Sequence, residues 1–128
     1  MEIRRQKPIV ENYHFDMKKP EEQVETKLNV GFMPLTPPDK DYPKENSIIG
    51  ARLEFTIAFP EYVLSGAVGQ INHIVNKSVT KTEDISRAEA DELVAPLFDI
   101  VKRLSYEVTE IVTDEPGVDL NFNSQDNE

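Results

Sequence analysis

Alternation of apolar and polar residues predicts strands in the first two-thirds of the chain. Apolar and polar side chains alternate in residues 24–33 with the period of two that a half-buried strand requires. Residues 47–59 alternate more strictly, with apolar side chains at the odd positions. Residues 62–75 are apolar on both faces, which is typical of a strand inside a sheet, and predict its antiparallel partner. A shorter pattern at residues 13–15 predicts an earlier strand.

The period changes after residue 82, where helices are predicted. Ser86 followed by Glu89 forms a capping box, in which hydroxyl and carboxylate satisfy free amides of the first helical turn. We expect this helix to end near Val94, and Pro96 to begin a second helix or to kink the chain between the two. The apolar stripe of the second helix consists of Leu97, Ile100, Val101, Leu104, Val108 and Ile111. Its opposite side carries Asp99, Lys102, Arg103, Tyr106 and Glu110.

The order of these elements, strands first and helices afterwards, predicts an α+β domain with helices on one face of an antiparallel sheet. Residues 34–44 hold four prolines and two aspartates and are predicted to form a loop. The helix should stop before Glu115, and residues 118–122 are expected to be extended. We therefore expect one domain over residues 1–122 and a frayed tail at residues 123–128.

Charge and composition exclude several classes of function. Residues 83–128 hold 13 acidic and 3 basic side chains and so carry the whole net charge of −10. Such a surface repels phosphates, so binding to nucleic acid is not expected. The longest uncharged run, residues 62–76, is too short and too polar for membrane insertion. The chain has no Cys, which excludes disulfides and thiolate metal sites and fits a cytoplasmic protein.

Candidates for catalysis are few. His14 and His73 have no partner at metal-ligand spacing, and the glycines do not form a phosphate-binding motif. A triad of Ser65, His73 and a distant aspartate stays open at this point. Since no motif brings a nucleophile, a base and an orienting group together, we expect neither an enzyme nor a cofactor.

Binding surfaces are better supported. Apolar side chains on both faces of the strands predict a second apolar surface, with Ile48, Tyr62, Leu64 and Val68 as polypeptide-binding residues and Ala58 nearby. The alternative is that these residues belong to an ordinary core. Tyr106 lies opposite the buried stripe of its helix, and with Arg103 and Glu110 it predicts an oligomer interface.

Several fragments carry a resemblance, and together they span nearly the whole chain: Tyr13–His14–Phe15–Asp16, Val63–Leu64–Ser65–Gly66, Gln70–Ile71–Asn72–His73–Ile74, residues 103–111 and residues 116–122. They resemble a small bacterial family of unknown function that is related to the SecB export chaperone. The resemblance implies a SecB-like, four-stranded antiparallel sheet followed by two C-terminal helices packed on one face. SecB itself is similar in order and works as a tetramer whose apolar grooves hold unfolded polypeptide. Its acidic docking surface on the sheet has no counterpart in residues 62–82, so docking to the SecA motor is not expected.

The resemblance leads to a functional hypothesis. We expect a cytoplasmic homo-oligomer, a dimer or a tetramer, that binds unfolded polypeptide without ATP, as a holdase or as a chaperone for one partner protein. The alternative is an adaptor that binds one folded partner through its acidic helical face. A third hypothesis, an acid–base enzyme that uses His73, requires an activity that is lost in His73→Ala.

Overall fold

The computed structural model describes residues 2–37 and 39–120. Five strands form one antiparallel sheet: β1 (Glu2–Arg5), β2 (Ile9–Met17), β3 (Lys27–Leu35), β4 (Ser47–Ala58) and β5 (Tyr62–Val75). A short 3-10 helix at Thr82–Asp84 and one helix, α1 (Arg87–Thr113), follow the strands. The α+β class predicted from the order of the elements is confirmed, and the antiparallel sheet with it.

The prediction of four strands is wrong because the first edge of the sheet is divided in two. The sheet runs in the order β1, β5, β4, β3, and β2 pairs with the same edge of β5 as β1 does. The Gln6 amide still donates to the Ile71 carbonyl at 2.9 Å, but Pro8 has no N–H to continue the ladder. β1 and β2 therefore occupy the place of a single edge strand.

The other edge strand departs from its predicted bounds. β3 begins three residues later than predicted and continues through Pro34 to Leu35, into the segment predicted to be a loop. Pro34 is tolerated because β3 is an edge strand, where a missing N–H can face outward without loss of a ladder bond. The long hairpin agrees with its prediction: β4 ends one residue early, at Ala58, and β5 has the predicted bounds.

The prediction of two helices is also wrong. α1 is a single helix of 27 residues with Pro96 inside it, capped by Ser86 and Glu89 as predicted. Proline has no N–H for the carbonyl of Glu92, four residues earlier, and this missing bond normally breaks a helix. Here the Arg5 guanidinium donates to the Glu92 carbonyl at 2.7 Å. The first strand thus supplies the hydrogen bond that the proline removes, and the helix continues.

α1 covers the middle of one sheet face. Its residues Leu93, Val94, Leu97 and Val101 pack against the odd-numbered apolar side chains of β4 and against Leu64, Val68 and Ile74 of β5. The predicted stripe is wrong at its end, because Ile111 is 75% exposed and the buried positions there are Ser105 and Thr109. The five residues assigned to the opposite side of the helix are exposed, as predicted.

Hydrogen bonds between polar side chains explain why Ser105 and Thr109 are buried. The Tyr13 hydroxyl of β2 donates to Ser105 Oγ at 3.0 Å, and Thr109 Oγ1 donates to the Ser105 carbonyl at 2.6 Å. The Val118 amide donates to Thr109 Oγ1 at 2.8 Å, so the chain after α1 turns back along the helix. The predicted extended segment is described only to residue 120, and the predicted tail lies outside the described residues.

We predict that the bond from Arg5 matters only because residue 96 is proline. Arg5→Met should lower the free energy of unfolding by about 1.5–2 kcal/mol, the low end of the range for a hydrogen bond from a charged group, because the bond is exposed to water. In a Pro96→Ala background the helix supplies its own amide to Glu92, so the same substitution should cost much less. Urea denaturation of the four proteins measures this coupling.

Arg4→Met is the matched control, because the Arg4 side chain bonds to Glu2 at the surface and, among the described residues, to no group of α1. An equal effect of Arg5→Met in both backgrounds would show that Arg5 stabilises the protein in another way.

Candidate functional site

One face of the sheet has no helix over it among the described residues. Side chains at even positions of β4 and at odd positions of β3 and β5 point away from α1. We call this surface the open face. It differs along its length: the half near the β4–β5 connection is polar, with Asn12, Glu54, Thr56 and Ser65, whereas the other half contains an apolar groove.

The open-face groove has a volume of about 510 Å³ and crosses β3, β4 and β5. Two neighbouring rows of paired residues form it. The first row is Gly31, Arg52, Gly69 and Ile9, and the second row is Met33, Gly50 and Ile71. Leu35 closes one end of the groove, and Gln6 and Lys7 lie at its margin. Glycines thus alternate with large side chains across the three strands.

Glycine keeps the floor of this groove low. A Cβ atom added at Gly31 would meet nothing within 4 Å, and one added at Gly50 would make only ordinary contacts with Leu35 and Met33. One added at Gly69 would lie 3.4 Å from the Ala51 carbonyl oxygen. Because no side chain stands at these three positions, another polypeptide backbone can approach the sheet closely.

The walls of the groove are apolar and accessible. Met33 is 64% exposed, Ile9 is 60% exposed and Ile71 is 37% exposed. Exposed large apolar side chains gathered in one concave surface are typical of a binding site rather than of ordinary surface.

An ion-pair cluster forms the boundary between the groove and the polar half. Arg52 donates to both carboxylate oxygens of Glu11, at 2.9 and 3.0 Å, and lies 3.0 Å from Glu54. A β-bulge between Val10 and Asn12 turns Glu11 toward Arg52. The hydrogen bond from Arg52 lowers the pKa of Glu11 below its usual range, and the two carboxylates raise the pKa of Arg52. Glu11 and Arg52 therefore stay ionised at neutral pH.

The structure does not place the four predicted polypeptide-binding residues on one accessible surface. Leu64 and Val68 are 0% exposed in the core beneath α1, and Ile48 is buried between its neighbours in the sheet. Tyr62 is partly buried and stacks on Phe15, with ring centroids 4.8 Å apart. Ala58 is also partly buried. The alternative from the sequence, an ordinary core, therefore describes Leu64 and Val68.

The three residues predicted for an oligomer interface do share an exposed side of α1. Tyr106 is 39% exposed, and Arg103 lies 3.9 Å from Asp99 one helical turn away. Glu110 is exposed one turn beyond Tyr106. Gly117 packs against the Tyr106 backbone, where an added Cβ atom would collide with its carbonyl group.

The histidine hypothesis finds little support in the described part of the chain. His73 Nδ1 lies 3.1 Å from the Tyr42 hydroxyl and His73 Nε2 lies 3.1 Å from Gln6 Nε2, with no carboxylate at either nitrogen. Ser65 precedes His73 by eight residues on one strand, a separation of roughly 26 Å, so the two do not form a catalytic pair. Among the described residues there is no cluster of metal-binding side chains, and α1 is not apolar enough to cross a bilayer.

Residues 1–122 match the family described as "Protein of unknown function (DUF1149)". The chain belongs to this family. No curated protein matches the sequence. One similar solved structure is that of a protein of unknown function from Streptococcus agalactiae, which is 36% identical to this chain. The TM-score is 0.85, and the alignment covers 95% of this chain and 98% of that one.

A second solved structure carries the SecB-like fold. It is the SecB-like chaperone Rv1957 of Mycobacterium tuberculosis, in complex with a ChAD peptide from the Rv1956 HigA1 antitoxin. The TM-score is 0.55 at 8% identity, with 94% of this chain and 88% of that chain covered. At this identity the likeness concerns the fold alone. The resemblance inferred from the sequence, to a family of unknown function with a SecB-like fold, is confirmed.

Sequence reasoning missed the residues of the open-face groove. Met33 and Gly31 are alternate positions of one predicted strand, and Gly69 lies within another. Their relation depends on the pairing register, which places Gly31 and Gly69 on either side of Arg52. No pattern within a single strand contains that information.

We predict that the glycines of this sheet fall into two classes. An added Cβ atom at Gly66 would collide with the Asn12 carbonyl oxygen and lie 3.0 Å from the Phe55 ring, so Gly66→Ala should destabilise the fold by about 1–3 kcal/mol. Gly31→Ala meets open space and should be neutral or stabilise by up to about 1 kcal/mol. Urea denaturation of both variants tests this, and a large loss at Gly31 would contradict the open geometry of the groove.

Proposed function

We propose that the protein binds extended apolar segments of unfolded polypeptide in the open-face groove, without ATP and without covalent chemistry. In this role it acts as a holdase or as a chaperone dedicated to one partner protein. The cytoplasm is the compartment we propose, as expected from the sequence.

The observation that carries the proposal is the combination of exposed apolar walls with a floor of glycines. Met33, Ile9 and Ile71 all lose contact with water when an apolar chain lies between them, and each fully buried side chain of this size contributes about 1.5–3 kcal/mol. The exposed apolar walls of the groove offer burial of apolar surface as an interaction with a bound chain. Such burial depends little on sequence, which suits clients that share only exposed apolar residues.

The SecB-like neighbour gives independent support. That protein is a chaperone in complex with a peptide, so a fold of this kind is compatible with polypeptide binding. This support comes from the fold alone, which does not fix function and does not identify a client.

A homo-oligomer formed through the outer side of α1 is part of the proposal. Tyr106, Arg103 and Glu110 lie there, and Ile111 and Val112 are exposed apolar residues at the end of the same helix. Packing of two such helices would cover Ile111 and Val112. It would also leave the open face of each subunit accessible.

The adaptor is the second candidate, and the exposed acidic side chains of α1 favour it. Asp91, Glu92, Asp99, Glu107 and Glu110 are exposed, whereas Lys102 and Arg103 are the exposed cations in the second half of that helix. A basic folded partner would be attracted to this surface.

Substitution of a groove wall should abolish capture of unfolded chain. Ile9→Asp and Met33→Asp should each weaken binding of a fluorescent, reduced and alkylated trypsin inhibitor by about tenfold or more, because each puts a charge where apolar contact is needed. Fluorescence anisotropy measures the affinity, and circular dichroism checks the fold.

Met17→Asp is the matched control, since it makes the same chemical change as Met33→Asp at an exposed position at the end of β2, outside both the groove and α1. It should leave the affinity within about twofold, and a large loss in this control together with intact binding in Ile9→Asp would refute the groove.

Salt separates the two candidate functions. Apolar binding in the groove should persist or strengthen between about 0.05 and 0.5 M salt, because screening acts on charges. Binding through the acidic side of α1 should weaken steeply over the same range.

The proposed oligomer interface is tested by light scattering of the wild type and of Tyr106→Glu at equal concentration. The wild type should be an oligomer, and the substitution should lower its measured mass; equal masses would contradict the proposed interface.

A further inference from the structure

The two edges of the sheet are protected to different extents. Exposed edge strands tend to pair with other chains, and proteins prevent this with charges, prolines and bulges. The edge made by β1 and β2 has all three: Pro8 interrupts it, a bulge distorts it at Glu11, and Glu2, Arg4 and Asp16 add charges along it. Within β3, at the other edge, Lys27 is the only charged residue.

Hydrogen bonds identify the backbone groups of β3 that face outward. The Ala58 amide of β4 donates to Thr26 Oγ1 at 3.0 Å, so even-numbered β4 residues face β3, and their partners in β3 are odd-numbered. Even-numbered β3 residues therefore face outward. The Phe32 carbonyl is consistent with this direction, because it accepts a hydrogen bond from Thr82 Oγ1, outside the sheet, at 3.5 Å. Pro34 is also an even position, so its missing N–H removes no bond to β4.

These contacts leave the outer groups of Leu28 and Val30 free in the part of the chain that the structure describes. No described residue outside the sheet bonds to their amides or carbonyls. Their side chains, on the helix side, are partly exposed and apolar. Beyond Val30, the next outward-facing carbonyl, that of Phe32, accepts a hydrogen bond from Thr82, and the next outward-facing residue, Pro34, has no N–H.

Gly31 connects this free edge with the open-face groove. Its neighbours on the same face of β3 are Asn29 and Met33, whose side chains rise above the sheet, while the space above Gly31 is empty. A side chain carried by a strand outside β3, opposite Gly31, can therefore reach over the edge and into the groove. The edge and the groove form one continuous surface.

From this continuity we propose that bound polypeptide pairs with the outer edge of β3 as a sixth strand and places an apolar side chain over Gly31. The inference rests on the proposed function and specifies how the client is held. Backbone hydrogen bonds to Leu28 and Val30 would be independent of client sequence, and the residue over Gly31 would supply the apolar selectivity.

A second copy of the chain fits this edge less well. In a two-fold antiparallel pairing of two β3 strands, a register with Met33 opposite Gly31 would pair Val30 with Pro34, which has no N–H. The other registers that pair Val30 within β3 put Lys27, Asn29 or Gly31 opposite Gly31. None of these is apolar. A client with an apolar residue at this position fills the groove, whereas a second copy leaves it empty or puts a polar side chain in it.

Amide hydrogen exchange measured by NMR tests the strand pairing. The probe is a soluble ten-residue peptide of alternating valine and serine with a lysine at each end. In the complex, the amides of Leu28 and Val30 should exchange at least about tenfold more slowly than in the free protein. Asn29 and Gly31, whose amides already face β4, serve as internal controls and should change little.

Gly31→Val tests the second half of the proposal. The valine side chain fills the empty space without a clash, so the fold should persist while peptide affinity falls by about tenfold or more. Thr56→Val, an isosteric change on the polar half of the open face, is the control and should bind as the wild type does.

The outcomes are distinguishable. If the peptide binds but exchange at Leu28 and Val30 is unchanged, or if Gly31→Val binds normally, the strand-pairing proposal is wrong and groove binding stands. Protection of these amides that rises with protein concentration alone would mean that a second copy occupies the edge, which also overturns the proposal. If neither the peptide nor unfolded protein binds the wild type, the proposed function fails as well.

Discussion

Pro96 leaves the Glu92 carbonyl oxygen without a helical donor, and the guanidinium of Arg5 supplies one from the first strand. This hydrogen bond replaces the one that Pro96 removes, and α1 continues as one helix over 27 residues. A single helix has one apolar stripe, and the stripe of α1 packs against one face of the sheet. The described elements therefore include no second helix for the other face, and the open-face groove is a consequence.

On the face of the sheet that α1 covers, polar contacts join the C-terminal half of the helix to the sheet. Tyr13, Ser105, Thr109 and the Val118 amide form a chain of hydrogen bonds that joins β2, α1 and the segment after it. These residues belong to the fragments that carry the family resemblance, so part of that resemblance is explained by packing rather than by a site. The glycines and apolar walls of the open face take no part in these contacts, which is why we propose that they form the binding site.

The sequence was sufficient for the elements whose signal is local. The strict alternation of β4 and the capping box of Ser86 and Glu89 each depend on residues within one element, and both predictions are confirmed. The division of α1 at Pro96 was predicted wrongly because the compensating donor, Arg5, lies 87 residues away from Glu92. β1 was missed because four residues with two charged arginines show no apolar alternation.

The candidate site was harder to predict than the fold. Leu64 and Val68 were assigned to a surface because β5 is apolar on both faces, and its pattern does not say which face a helix covers. In the groove, Gly31 and Gly69 are 38 positions apart and become neighbours of Arg52 only through the register of three strands. Sites that depend on register cannot be recognised from the period of one strand.

Methyl NMR can show whether unfolded polypeptide lies on the open face, as we propose. The protein, labelled at isoleucine and methionine methyl groups, is titrated with reduced and alkylated trypsin inhibitor. We expect the methyl resonances of Ile9, Met33 and Ile71 to shift or broaden, and that of Ile111, at the end of α1, to stay unchanged. Changes confined to Ile111, or binding that leaves all three groove methyl groups unchanged, would contradict it.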